Sequence, residues 1–196
     1  MRKPEGCPEP LSWPRSGRLP ARRLALLGGE SSGKTTLAQA LAAHLRTDWV
    51  PEYGRQRWEE LRETLSVAEL VRVAHRQIEW EDQQALQARD WLVCDTTPLT
   101  TLQYCLFDHG QAPNELCMLA QRRYDLTVVC LPDFDFVQDG CRRDDTFRAQ
   151  QHAWTMARLA GMHVLPLLVS GAAPARLSQV LAHLAGLQTP SPHSNP

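Results

Sequence analysis

Apolar residues along the chain fall into five short runs, separated by longer stretches in which they recur at helical spacing. The runs lie at residues 24–27, 47–50, 91–94, 126–131 and 162–169, each the length of a strand. After the first, Leu37, Ala40, Leu41 and Leu45 keep helical intervals. Ser66 opens a longer helix to about residue 88, carried by Val67, Leu70, Val71, Ala74, Ile78 and Ala85. Shorter helical segments are predicted at 99–107 and 113–123. Another runs over 146–159 and closes at Gly161, and a last one, over 174–185, starts with Pro174 where proline is tolerated. The run at 126–131 is too apolar for a sheet face open to water. Strands alternating with helices predict a three-layer α/β fold, with a five-stranded, mostly parallel sheet and helices on both faces. Right-handed crossovers then bring the C-terminal ends of the strands to one edge, where open α/β sheets bind ligands.

Composition refines this picture mainly at the ends. The chain has 196 residues, 43% of them hydrophobic, enough for one domain with a sizeable core, expected over 21–188. Residues 1–20 hold Pro4, Pro8, Pro10, Pro14 and Pro20 among Arg, Lys and Ser, and read as a flexible leader without the apolar segment of an export signal. Residues 189–196 read as a flexible tail. A net charge of −1 gives no electrostatic footprint for nucleic acid, and strand-sized apolar runs give no membrane span. The six cysteines have no C-x-x-C spacing, which argues against a zinc site and for a reduced, cytoplasmic chain.

The first strand runs directly into Gly28-Gly29-Glu30-Ser31-Ser32-Gly33-Lys34-Thr35, the full G-x-x-x-x-G-K-[ST] spacing between a strand and a helix. Backbone N–H groups of such a loop and of the helix N-terminus point at phosphate oxygens. Lys34 is placed to reach the β- and γ-phosphates and the Thr35 hydroxyl to bind Mg²⁺, so the expected ligand is MgATP or another nucleoside triphosphate. A capped Gly/Ser turn is the bland alternative, and the flanking strand and helix argue against it.

Other chemistry-bearing residues stand just past strand ends. Asp95 follows the third strand, the position of an acid that helps hold Mg²⁺; the competing role is a helix N-cap. Glu52, past the second strand, is the candidate to accept the proton of an acceptor hydroxyl, against a merely solvated carboxylate. The choice of general base between Glu52 and Asp95 stays open. Gly54 beside it suggests an unusual backbone angle. Arg55, Arg142 and Arg143 are candidates to stabilise the transferring phosphoryl group, the last two in a lid near Asp139 and Gly140, or else surface partners of Asp144 and Asp145. Tyr53 and Trp58 could stack on a flat or cationic base, although any one aromatic is more often core.

Taken in order, the stretch from Gly28 through Thr35, Thr36 and Leu37, then Pro51-Glu52-Tyr53-Gly54-Arg55, Cys94-Asp95-Thr96-Thr97 and Asp139-Gly140-Cys141-Arg142, resembles the ribosylnicotinamide kinase domain of NadR-type proteins, a P-loop family grouped with AAA-type ATPases. The resemblance covers residues 22–168 and implies a P-loop kinase-like fold. It also implies transfer of phosphate from ATP to the 5′-hydroxyl of nicotinamide riboside, giving nicotinamide mononucleotide in NAD salvage. Carried over residue by residue, the P-loop residues bind the ATP phosphates, Glu52 and Arg55 face the riboside, Asp95 serves Mg²⁺ and Arg142 belongs to the lid. Together with the reading of the residues themselves, the expected sites are Gly28 to Thr36 and Arg143 for ATP, Glu52, Tyr53, Arg55 and Trp58 for the acceptor, Thr35 and Asp95 for Mg²⁺, and Lys34, Glu52, Asp95 and Arg142 for catalysis. Full-length NadR-type proteins also carry a nucleotidyltransferase domain and often a helix-turn-helix. This sequence has no room for either, so adenylylation to NAD and transcriptional regulation are expected to be absent. The expected partner is a small molecule, not nucleic acid or membrane, with a homo-oligomer left open. Two other functions compete: a kinase for a different nucleoside or small metabolite, and a P-loop ATPase or nucleotide switch that docks a protein through the basic leader.

Overall fold

The computed structural model describes residues 19–136 and 143–188. In chain order the elements are β1 (Arg22–Leu27), α1 (Lys34–Leu45), β2 (Trp49–Val50), α2 (Tyr53–Leu61), α3 (Val67–Ala85), β3 (Trp91–Asp95), α4 (Pro98–His109), α5 (Asn114–Leu119), β4 (Leu126–Cys130), α6 (Asp145–Gly161), β5 (Leu167–Val169) and α7 (Ala173–Gln188). Most of the expected leader, the tail and the lid residues Asp139, Gly140, Cys141 and Arg142 lie outside the described residues.

The five strands form one parallel sheet, as the alternating pattern predicts, and their order is β2-β3-β1-β4-β5. β1 lies at the centre because its neighbours cover both its edges. Leu26 is in register with Asp95 on one side and Leu27 with Val129 on the other. Every residue of β3 and β4 is buried, as strands covered on both faces require. One face packs Leu24, Leu26, Val93 and Val128 against Leu37 and Leu41 of α1 and Val180 and Leu184 of α7. The other packs Leu27 and Val129 against Leu70, Val73 and Ala74 of α3, Leu99 and Leu102 of α4, and Leu159 of α6. No helix among the described residues is long and apolar enough to cross a membrane.

Two local expectations are corrected, and one competing role is set aside. Residues 53–61 form α2, and Gly54 is helical; a Cβ there would meet Val73 Cγ1 at 3.4 Å, so this glycine allows close packing on α3. The fifth strand is short because α6 runs through Gly161 to Met162, and His163, not the glycine, takes the left-handed turn (φ 54°). Asp95 caps no helix: Thr97 does so for α4, its hydroxyl accepting the Leu99 N–H at 3.1 Å.

The sharpest backbone requirement sits where β1 ends. Gly28 has φ 142°, and a Cβ there would stand 2.7 Å from the Cys130 carbonyl oxygen and 2.7 Å from Ser32 Oγ. Gly28→Ala should therefore force β1 from β4 and destabilise the protein by about 1–3 kcal/mol, read by urea unfolding.

Candidate functional site

The loop between β1 and α1 turns through three left-handed residues, Gly28, Ser31 and Gly33 (φ 142°, 52° and 78°). Gly33 is the N-cap of α1 and offers no side-chain cap, and the first turn carries no acid, so the leading N–H groups and the positive end of the helix face the cleft. The carbonyls of Gly28, Gly29, Ser32 and Gly33 are satisfied from inside the protein. Lys34 Nζ donates to the Gly28 and Gly29 carbonyls at 3.0 and 2.9 Å.

Arg176 of α7, 2% exposed, supports the loop from behind, and nothing in the sequence pattern singled it out. It donates to the carbonyls of Ser32 (2.6 Å), Leu131 (2.8 Å) and Gly171 (2.7 Å), pairs with Asp133, and lies 4.8 Å from the Phe134 ring centre. One guanidinium thus ties the loop to the ends of β4 and β5.

On the other side of β1, Asp95 is 1% exposed and lies beneath Thr35, not on the cleft wall. Its Oδ2 accepts the Thr35 hydroxyl at 2.6 Å, while its Oδ1 is buried without a hydrogen-bond partner. Burial raises its pKa, opposed by Lys34 and by the Thr35 hydrogen bond. An ionisable oxygen kept dry and unpaired beside a cleft-facing hydroxyl fits a Mg²⁺ site, held directly or through water. Ser32 Oγ and Thr96 Oγ1 are also buried and unpartnered at this edge, and Thr96 has φ 83°, a strained angle for a β-branched residue.

Glu52 is half-buried and lines the cleft with Gly54, Arg55 and Trp58. Burial raises its pKa most, Lys34 and Arg55 lower it, and Asp95 and Glu30 raise it again. Arg55 also pairs with Glu59 at 3.2 Å. The expectation for Tyr53 is not met: its ring packs edge-on against Trp80 (5.1 Å, 68°) and is not among the residues lining the cleft. Trp49 and Trp91 are core residues, and among the described residues Trp58 is the tryptophan that lines the cleft.

Glu30 has a structural role beyond a spacer in the motif. Its carboxylate accepts the Tyr104 phenol (2.9 Å) and the Arg143 N–H (2.8 Å), and its own N–H donates to Gln151 at 2.8 Å. Arg143 pairs in turn with Asp108 and covers Phe147 at 4.2 Å. The loop is thereby joined to α4 and α6, and Arg143 lies on the cleft rim. Burial beside Glu52 and Glu30 keeps Tyr104 a neutral phenol, able to donate. The cleft of about 280 Å³ continues past Glu52 to an apolar wall of Trp58, Leu65, Leu70 and Val73.

The AAA domain family matches residues 23–176. The chain belongs to that family. It is 30% identical over 128 residues to the trifunctional NAD biosynthesis/regulator protein NadR of Escherichia coli (strain K12), covering 62% of this chain and 31% of that protein. The NadR of Salmonella typhimurium (strain LT2) gives the same identity and coverage. This chain thus spans about a third of the length of these curated relatives. Among solved structures, a NadR protein in complex with NR superposes with a TM-score of 0.69 at 20% identity, over 89% of this chain and 54% of that one. The thymidylate kinase of Candida albicans gives 0.62 at 15% identity, over 86% and 93%. These neighbours establish the P-loop kinase fold, and the resemblance read from the sequence leads to the same relatives.

Removing the support behind the loop should be costly. Arg176→Ala would leave the Ser32, Leu131 and Gly171 carbonyls and Asp133 without their shared donor. We expect a loss of about 3–5 kcal/mol in urea unfolding, with weaker binding of a fluorescent ATP analogue.

Proposed function

We propose that the protein is an ATP-dependent kinase that phosphorylates the 5′-hydroxyl of nicotinamide riboside. The observation that carries this reading is Glu52, a half-buried carboxylate on the same cleft that the phosphate-binding loop lines. Hydrolysis needs a group to orient water, whereas transfer to an alcohol gains from a base beside the acceptor, by roughly 10²–10⁴-fold. The charges around the cleft favour the acceptor class. Glu30, Glu52 and Asp108 line it, and its arginines already meet carboxylates, Arg55 at Glu59 and Arg143 at Asp108. Such a site suits a pyridinium riboside, which is cationic and carries no phosphate, better than a nucleoside monophosphate. The similarity to NadR over the same region supports the same acceptor.

In this mechanism the loop N–H groups and the α1 N-terminus bind the triphosphate, and Lys34 exchanges its two carbonyl partners for phosphate oxygens. Thr35 and Asp95 would hold Mg²⁺, which supplies charge neutralisation when bound. Glu52 accepts the proton of the attacking hydroxyl, and Trp58 with Leu65, Leu70 and Val73 keeps water from the acceptor. Asp95 is the weaker base candidate because its oxygens lie under Thr35, away from the cleft wall.

The direct test is ADP release from MgATP with and without nicotinamide riboside, with mass analysis of the product. A riboside-dependent gain of one phosphate is expected. Release that responds instead to another nucleoside would keep the kinase and replace the acceptor; release indifferent to every acceptor would overturn the kinase reading.

Two variants separate binding from chemistry. Lys34→Ala should weaken both ATP binding and turnover, whereas Glu52→Ala should leave ATP affinity unchanged and lower kcat by about 10²–10⁴-fold. Because the base works only when ionised, activity should fall on acidification through a pKa raised above the ordinary glutamate value, and Glu52→Ala should remove that limb.

A further inference from the structure

The buried stripe of α3 reads Leu70, Val73, Ala74, Gln77, Glu81 and Ala85, so two polar residues one turn apart occupy an otherwise apolar seam. Gln77 is 1% exposed and Glu81 fully buried. Glu52 is the N-cap residue of α2, yet its side chain makes no capping hydrogen bond. The cap comes from α3 instead: Gln77 Oε1 accepts the Tyr53 N–H, the first amide of α2, at 3.0 Å. Borrowing this acceptor leaves the Glu52 carboxylate free to line the cleft.

The Gln77 amide has two ends, and only its oxygen can serve Tyr53. Its Nε2 is buried without a well-formed hydrogen bond, and Glu81 lies one turn further along the same face. The Glu81 carboxylate takes its hydrogen bonds from one connection. Arg122 Nε reaches it at 3.0 Å and Tyr124 Oη at 3.0 and 3.2 Å, both from the connection into β4. Asp82 on the same helix pairs with Arg122 and with Arg23 of β1, and Cys94 of β3 lies close by.

We infer that Glu81 is a positioning residue: its ionised carboxylate attracts the Gln77 NH₂ end, turns the Gln77 oxygen onto the Tyr53 amide, and so holds the start of α2 with Glu52 on the cleft. The role assigned to Glu52 rests on the kinase reading; the relay itself does not. An ionised Glu81 is an acceptor and fixes the Gln77 amide in the observed orientation. A protonated Glu81 carries an O–H that competes for the Gln77 oxygen, and a flipped amide would present a donor to the Tyr53 donor. The start of α2 then loses its cap. This change falls in a physiological range, because burial pushes the Glu81 pKa up to about 7 against the opposing pull of Arg122, Tyr124, Gln77 and Arg23. Ionisation above that value engages the relay, and acidification releases it.

The test is hydrogen exchange of the Tyr53 amide by NMR on the full chain without substrate, corrected for the intrinsic pH dependence of exchange. In the unmodified protein, protection should fall about tenfold on acidification through neutrality, the worth of one hydrogen bond. In Glu81→Gln it should not change with pH. Tyr124→Phe removes a donor that favours ionised Glu81, so its transition should move to higher pH, and this milder variant decides the matter if Glu81→Gln does not fold. Protection that is independent of pH in the unmodified protein, or a transition that neither variant alters, would overturn the inference. Both results are read without turnover, so failure of the kinase reading would show separately, as ADP release that ignores every acceptor.

Discussion

A loop that turns its N–H groups toward a ligand must satisfy its carbonyls elsewhere, and the organisation of this site follows from that constraint. Lys34 serves the Gly28 and Gly29 carbonyls and Arg176 serves that of Ser32. The two cations act differently. Lys34 sits on the cleft with a flexible stem and can exchange partners. Arg176 is enclosed, spreads its donors over three carbonyls and one carboxylate, and has no other role available to it. The fixed cation holds the loop's shape while the mobile one can respond to a ligand.

The sheet order then sorts the chemistry around β1. On the β3 and β2 side lie Asp95 and Glu52, carboxylates whose pKa values burial raises. On the β4 and β5 side lie Asp133, Phe134 and Arg176, which brace the loop. Parallel strands with ends on one edge make this division possible, because each connection delivers its residues to the same rim. Glu30 closes the arrangement by joining the loop to Tyr104 of α4 and to the start of α6 at Arg143.

The parallel sheet, the loop and the positions of Lys34, Thr35, Glu52 and Asp95 were legible because each depends on local signals: an apolar run, a glycine spacing, a carboxylate just past a strand. Residues that act through tertiary packing were less visible. Arg176 looks like any helical arginine until α7 is docked behind the loop. Tyr53 and Trp58 are both aromatic near Glu52, and only the helical phase of α2 decides which faces the cleft. No helix was expected at 53–61 because Gly54 suggested an unusual backbone angle, whereas its missing side chain serves contact with α3. One signal was present and unused. Gln77 and Glu81 interrupt the apolar register of α3, and a polar residue in a buried register needs a partner.

Lys34 also links the loop to the carboxylates. It lowers the pKa of both Glu52 and Asp95, and it does so from its place on the loop carbonyls. Desolvation raises both acids, and Asp95 raises Glu52 further, so the pair cannot ionise cheaply without such a cation. If Lys34 moves outward to phosphate, that field moves with it, and a cation at the unpaired Oδ1 of Asp95 would add to the support left by Thr35 and Arg55. Arg55 stays as a second cation that lowers the pKa of both, while Thr35 covers Asp95 and Glu52 lines the cleft. The two carboxylates therefore diverge once the loop is occupied: the covered one suited to holding a metal ion, the cleft-facing one suited to taking a proton.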